Sequence, residues 1–506
     1  MTEHDLALIV RDIPSNRSPG CDGIRVSDFK RNLGIIGDSV LHILNRTFAS
    51  GVIPPLMKRA LIKPLFKGGQ RDNIDNYRPI SILSVMAVIM EKFVFKVMSC
   101  FTAKYQLISE TQYGFISGRG TQTLLEDLSD CLYRAFDSNL VAICLSLDLR
   151  KAFDTVSHVF LLDKLYAFGF RGKFHLWLSN FLSERSQVVQ ACGEQTEVIP
   201  VRRGVPQGSV LAPLLFNVYV NDLSRFMISC KLFQYADDTL LLAVHRDSKI
   251  AMEKLQTDVI IVSDWFISNQ ISVNHAKTQL ICFHNPHKEV ELESGIVLHG
   301  SGCLNCSCPS IPFVGVLKYL GLLFDSDLSW NSHLTILCRK LQKLSCILYS
   351  LRYTAPPRIR LMLMHALGYS ILRYGITLFA HCSETWKLKI NSILRSCLKS
   401  VAYKCISVVP GANLFHSLEL PSFYNLFRYI VVLKYFWSDR YKISIVQSRS
   451  LRQKRCLFVV PLSFTRYGTY RRGSYIPDIF NTLPIEAFNI TSLGSLKKCL
   501  RELFYR

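Results

Sequence analysis

The sequence predicts an α+β fold in which a strand-rich middle carries acids and a helical last third carries positive charge. Three observations lead there. Ala142 to Leu149 (AICLSLDL) is a short apolar β-type run with an acid, Asp148, at its end. Leu232 to Val244 (LFQYADDTLLLAV) reads as two apolar strands separated by Ala236-Asp237-Asp238, a hairpin with acids at the turn. After Trp330 the period changes: Leu334, Leu337, Leu341, Leu344, Leu348 and Leu351 alternate steps of three and four, one stripe of an α-helix.

Taken in order, residues 1–57 read as an N-terminal extension, with the turn Ser18 to Ile24, a periodic apolar segment up to Phe48, and Pro54-Pro55 as a stop. Residues 58–330 begin with the strand-like ALIKPLF, the turn Lys67-Gly68-Gly69 and a helical stretch from Ile82 to Met98. Helical patterns over Val159 to Phe168 and Leu211 to Phe226 separate the two acid-bearing strand segments. Residues 331–437 continue as helices, and 438–506 form a basic C-terminal region.

The chain has 506 residues, 49% hydrophobic and 19% charged, which predicts several packed units rather than disorder. No apolar run reaches the roughly 18 residues that span a bilayer. The nearest, Ser81 to Val94, is interrupted by Glu91 and Lys92. The acidic start MTEHDLALIVRD is too short for a secretory signal, so the expectation is an intracellular protein, in cytoplasm and nucleus. Seventeen cysteines fit reduced thiols better than a disulfide framework. Cys303, Cys306 and Cys308 lack the fourth ligand of a structural zinc site and read as a loop with incidental thiols.

The net charge of +22 is unevenly placed. From Asn331 onward there are 27 Lys and Arg against six acids; the first 330 residues hold 33 basic and 32 acidic residues. A one-sided excess of this size points to a polyanion, with nucleic acid the leading candidate and a solvated basic surface the plain alternative.

Apolar strands that hold Asp148 and Asp237-Asp238 together bury charge at a cost, unless cations neutralise it. Two Mg²⁺ ions about 3.5–4 Å apart would do so and would stabilise the oxygens of a phosphoryl transfer.

The wording around these acids resembles the reverse transcriptase family, and the non-LTR (LINE-type, Jockey-like) retrotransposon enzymes in particular. Tyr235-Ala236-Asp237-Asp238 is similar to their Y-x-D-D box, and Asp148 to Asp154 (DLRKAFD) to their D-x-x-K-A-F-D motif. Arg203 to Gly208 (RGVPQG) resembles the loop between the two. NYRPIS around Arg78 and QYGFISGRG from Gln112 resemble upstream fingers motifs; Lys277 in NHAKT and Tyr319-Leu320-Gly321 resemble downstream ones. These motifs span residues 18–330 in the family's order.

The resemblance implies a right-hand polymerase fold: fingers and palm over 58–330 with an antiparallel palm sheet, then a helical thumb over 331–437. It implies an RNA-directed DNA polymerase using an RNA template, a DNA primer and dNTPs, with two Mg²⁺ ions or Mn²⁺ as substitute, in a ribonucleoprotein with its own transcript. By the same resemblance Asp148 and Asp237 are metal ligands and Asp238 completes the catalytic site. Phe153 stands where a steric gate excludes a 2′-hydroxyl; a core aromatic is the alternative. Asp154 reads as a helix N-cap or a supporting acid. Gln207 and Gly208 allow close backbone approach to a nucleotide, or form a simple turn. Lys67 and Arg78 are candidates for the triphosphate and Lys277 for a general acid, each against a surface-charge reading. Arg339, Lys340 and Lys343 suit a helix lying along a primer–template backbone, or an ordinary solvated face. The competing function is a nucleic-acid-binding remnant that no longer polymerises. A viral RNA-copying polymerase is disfavoured by the bulk of Phe153. Polymerase-like motifs begin near residue 1 and paired strand carboxylates are missing from the last third, so the expectation is a polymerase-plus-tail portion of an element.

Overall fold

The computed structural model describes residues 1–292, 295–303, 308, 310–404, 413–438 and 458–505. Nine strands frame the first part of the chain: β1 (Arg59–Phe66), β2 (Tyr77–Ile82), β3 (Val141–Leu147), β4 (Arg185–Ala191), β5 (Glu194–Gln195), β6 (Ile199–Val201), β7 (Lys231–Tyr235), β8 (Asp238–His245) and β9 (Gln279–Phe283). They form two sheets. One is mixed, in the order β2-β1-β4-β5 with β6 also on β4. The other is antiparallel throughout, in the order β7-β8-β3-β9.

The antiparallel sheet is covered on both faces, which explains why its strands read as nearly continuous apolar runs. Ile143, Leu145 and Leu147 of β3 join Leu241, Ala243, Leu280 and Cys282 in one core. The helices Val85–Lys104, Ala212–Val220 and Ser248–Ser268 supply much of the rest of that core. The alternate residues Ala142, Cys144, Leu240, Leu242, Ile281 and Phe283 face a second core. That second core contains the helix Thr121–Asp137 and side chains from nearly every element after Val316.

Sequence punctuation fits the helix ends. Ser84 caps Val85–Lys104 by accepting from the Ala87 N–H, and Asp247 caps Ser248–Ser268 by accepting from Lys249. Gly51, at φ +73°, closes Leu33–Ser50. The predicted helix over Leu211 to Phe226 divides into Ala212–Val220 and a 3₁₀ segment, Asn221–Phe226.

In the last third, Asn331–Ser350 buries Leu334, Leu337, Leu341, Leu344 and Leu348 of the predicted stripe, while Leu351 is the C-cap and only half-buried. It packs with Glu384–Ala402, and Phe423–Tyr435 with Arg472–Phe480 and Leu493–Phe504. Ile476, Phe480, Leu496 and Phe504 enter the same core as Leu124 and Phe136. Among the described residues no helix is long and apolar enough to cross a membrane. The Cys303 and Cys308 sulfurs lie 3.7 Å apart; Cys306 lies outside the described residues.

Candidate active site

The antiparallel sheet brings the three acids to one end. In the β3–β8 register Ser146 faces Leu240 and Leu147 faces Thr239, and one further step sets Asp148 beside Asp238. Tyr235 pairs with Asp238, so β7 and β8 are joined by a two-residue turn, Ala236-Asp237, with Ala236 at φ +54°. Asp238 is therefore the first residue of a strand rather than part of the turn expected from the sequence. The Asp148 carbonyl is held by the Asn274 N–H at 2.7 Å.

Two of the three carboxyls are shifted by burial and by neighbouring charge. Burial raises the Asp237 carboxyl above its ordinary range, and Asp148 adds to the rise while Arg78 and Lys67 oppose it. Burial, then the charges of Asp237 and Asp148, push Asp238 up to about 6. Arg78 on β2 and Lys67, just past the end of β1, are exposed and direct positive charge toward this end of the sheet.

The fit to a divalent cation is that of an open site. Among the described residues no three His, Cys, Asp or Glu side chains already enclose a metal position. The carboxylates of Asp148, Asp237 and Asp238 are hard oxygen donors of the kind that hold a divalent cation together with substrate phosphates.

The fold also tests a stability prediction. A raised carboxyl binds its proton more tightly when folded, so its contribution to stability falls as pH rises from about 4 through 6. Without divalent ions, Asp238→Asn should raise the thermal midpoint at about pH 7.5, and the difference should shrink toward pH 4. A midpoint difference independent of pH would contradict the shift.

The loop expected near a nucleotide packs on the Asp148 segment. Gln207 Nε2 donates to Asp154 Oδ1 at 2.9 Å, and Val205 N–H to the Phe153 carbonyl at 2.8 Å. Asp154 is not the N-cap of Ala152–Thr155: Lys151 holds that position at φ +48°, leaving Asp154 as the acceptor for Gln207. Gly208 has φ +113°, and a Cβ there would stand 2.6 Å from the Ser81 carbonyl oxygen. The close approach it permits is to β2 of the protein itself. Phe153 is half-buried and stacks on Phe216 with centroids 4.6 Å apart, leaving part of its ring accessible.

Lys277 is exposed, three residues beyond Asn274 and so near the Asp148 backbone. Arg339, Lys340 and Lys343 line the solvent side of Asn331–Ser350, away from its buried leucines; they belong to that helix rather than to the strand ends.

Two supports are not legible as such in the sequence. The segment Thr111–Gly114 runs parallel to β7: Tyr113 N–H donates to Gln234 O and Gln234 N–H to Thr111 O, both at 2.8 Å. Gln112 Oε1 accepts from the N–H groups of Gly114 (2.8 Å) and Ala236 (3.0 Å), clamping the turn before Asp237. The QYGF motif thus buttresses the acid-bearing hairpin. The second support is Glu91, only 1% exposed, which accepts from Ser209 Oγ and Val210 N–H at 2.7 Å each and anchors the loop after Gly208. Its signal was present as the acid interrupting an apolar helix, where a buried carboxylate requires donors.

Residues 67–322 match the family described as reverse transcriptase (RNA-dependent DNA polymerase). The chain is 25% identical over 425 residues to the RNA-directed DNA polymerase from mobile element jockey of Drosophila melanogaster, covering 78% of this chain and 44% of that protein. It is 26% identical over 440 residues to the probable RNA-directed DNA polymerase from transposon BS of the same species, covering 82% and 46%. Among solved structures it resembles an apo telomerase from Candida tropicalis, with TM-score 0.38, 13% identity, and 58% and 59% of the two chains covered. The chain spans less than half the length of the two Drosophila relatives.

Proposed function

Because the chain belongs to the reverse transcriptase (RNA-dependent DNA polymerase) family, we propose that it is the polymerase portion of a non-LTR retrotransposon protein and copies RNA into DNA. The observation that carries this reading is the gathering of Asp148, Asp237 and Asp238 at one end of a sheet, where burial and the charge of the neighbouring acids raise the carboxyls of Asp237 and Asp238.

In the proposed reaction a primer 3′-oxygen attacks the α-phosphorus of a dNTP. One P–O bond forms, the bond to pyrophosphate breaks, and the 3′-hydroxyl proton passes to solvent water. Bound Mg²⁺, with Mn²⁺ as substitute, would be held by Asp148 and Asp237 with Asp238 beside them, and would supply positive charge to the attacking and leaving oxygens. Arg78 and Lys67 orient the triphosphate from the β1–β2 hairpin. Lys277 donates a proton to the departing pyrophosphate. Gln207 and Gly208 border the nucleotide, and Gln207 also holds Asp154. Phe153 presents its free edge to the sugar and excludes a 2′-hydroxyl.

In this reading residues 58–330 are fingers and palm, with 1–57 as an extension before them. Residues 331–437 are a thumb whose Arg339, Lys340 and Lys343 follow the primer–template phosphates, and 438–506 add a basic region. The natural partners are an RNA template and a DNA primer, in a ribonucleoprotein with the chain's own transcript that acts in cytoplasm and nucleus.

The test is extension of oligo(dT) on poly(rA) with dTTP and Mg²⁺. The full chain should extend the primer, and binding without synthesis would overturn the polymerase reading. Phe153→Ala should gain use of ribonucleotides while keeping dTTP use; unchanged discrimination would remove the gate. Gly114→Ala provides a geometric check. Its Cβ would stand 2.5 Å from the Ala236 backbone nitrogen, so the turn before Asp237 must move. Displacement on the ångström scale should lower the extension rate by about a hundredfold. A rate near that of the unmodified chain would mean the turn does not need this packing.

A further inference from the structure

The far C-terminal region reaches the acid-bearing turn through a short chain of polar contacts. Arg472, at the start of Arg472–Phe480, places its guanidinium on Asp127 Oδ1, 345 residues away in sequence. The other oxygen of Asp127 accepts from the Tyr113 hydroxyl at 2.7 Å. Tyr113 is bonded through its own backbone to Gln234 of β7, and its neighbour Gln112 holds the Ala236 N–H next to Asp237. Tyr113 is thus tied at both ends, by backbone to the hairpin and by hydroxyl to the helix Thr121–Asp137. The Arg472 N–H also donates to Asp130 at 3.1 Å on that helix.

We propose that Arg472 and Tyr113 are positioning residues for the Asp237-Asp238 turn, with Asp127 transmitting the placement of the C-terminal helix to the active site. The proposal rests on the polymerase reading for its effect on rate. The physical need is plain: neighbouring carboxylates repel one another, so a two-residue turn that carries Asp237 and leads directly into Asp238 requires bracing from outside. The Asp127 side chain is 29% exposed, and without a cation on Oδ1 it is free to turn toward water and leave Tyr113 without a fixed acceptor. Burial and the bond to Asp127 both raise the Tyr113 phenol, keeping it a donor. Burial opposes charge on Arg472, but Asp127 and its neighbours more than offset this and keep it protonated.

The experiment compares the full chain with Arg472→Ala, Arg472→Lys, Tyr113→Phe and the Arg472→Ala/Tyr113→Phe double variant. Arg134→Ala, which removes a largely exposed arginine from the same helix, serves as control. Steady-state extension and hydrogen–deuterium exchange over residues 232–240 are measured on each. Arg472→Ala and Tyr113→Phe should each lower kcat about tenfold or more with little change in dTTP KM. The double variant should be no worse than the poorer single, and Arg472→Lys should recover part of the loss. The turn amides should exchange several-fold faster in both single variants and unchanged in Arg134→Ala. Normal kcat in Tyr113→Phe, or strictly additive losses, would overturn the proposal. If the unmodified chain does not polymerise, the exchange measurement alone decides: unaltered turn protection refutes positioning, whereas faster exchange supports it while the polymerase reading fails. If Arg472→Ala does not fold, Tyr113→Phe, which removes one oxygen, decides in the same way.

Discussion

Asp237→Ala is expected to reduce primer extension by at least about a thousandfold, the loss that follows removal of a group aimed at developing charge. Asp148→Ala should match it, while both variants fold and bind primer–template. The reason is geometric. The two acids reach the same end of the sheet from different strands, and neither has a protein cation bonded to it that could substitute for a metal among the described residues. Asp238→Asn should cost less in rate, because in the proposed site Asp238 stands beside the two ligands rather than holding the metal itself. Equal residual activity in Asp237→Ala and the unmodified chain would exclude this end of the sheet as the reactive centre. The measurement is initial-rate dTTP incorporation, with a binding assay on the same preparations to separate loss of chemistry from loss of grip.

The largest stability effect is expected at Glu126. Its side chain is 2% exposed and its two oxygens accept from Thr377 Oγ1 at 2.7 Å, Lys434 Nζ at 2.6 Å and the Tyr435 hydroxyl. Glu126→Ala would leave a partly buried ammonium and two hydroxyls without their acceptor, a loss of about 3–5 kcal/mol. Chemical denaturation followed by tryptophan fluorescence measures it, since Trp330 bonds Tyr133 on the same helix. Glu126→Gln/Lys434→Met should lie much nearer the unmodified chain, because the pair is removed together. A loss below about 1 kcal/mol in Glu126→Ala, as for an exposed pair, would show the contact to be peripheral.

These contacts bear on the meaning of the charge asymmetry. The net excess of +21 after residue 330 is compatible with a nucleic-acid surface, yet part of it is consumed inside the protein. Lys434, Arg471 and Arg472 meet Glu126, Asp137 and Asp127, all on the helix Thr121–Asp137. Asp137 accepts in addition from the backbone of Phe464 and Thr465. A positive count therefore overstates the charge available to phosphate, whereas Arg339, Lys340 and Lys343 remain exposed.

The elements that carry the candidate site were legible because their signals are local. Apolar runs ending in Asp148 and flanking Asp237-Asp238 identify strands from one stretch of residues each, and the leucine stripe from Leu334 to Leu348 identifies its helix from one period. The supports were not legible, since each is a pairing across distance. Gln112 is an ordinary polar residue until its amide is found on Ala236, 124 residues on. Gly208 reads as a glycine beside a nucleotide or in a simple turn, and its packing on the carbonyl of Ser81 is visible only in the fold. Asp154 looks like a helix cap until the left-handed Lys151 takes the position and Gln207 takes the carboxylate.

The sequence by itself determined which acids stand at strand ends, which ring follows them and where the basic helix begins, because periodicity and charge are properties of neighbours along the chain. Only the tertiary structure decided that Asp148, just past the end of β3, comes near enough to Asp238 to act on its charge, that QYGF braces the turn before Asp238, and that residues beyond 458 share a core with Leu124 and Phe136. Those facts depend on which distant groups satisfy one another once water is excluded, and a buried donor finds its acceptor by folding rather than by spacing.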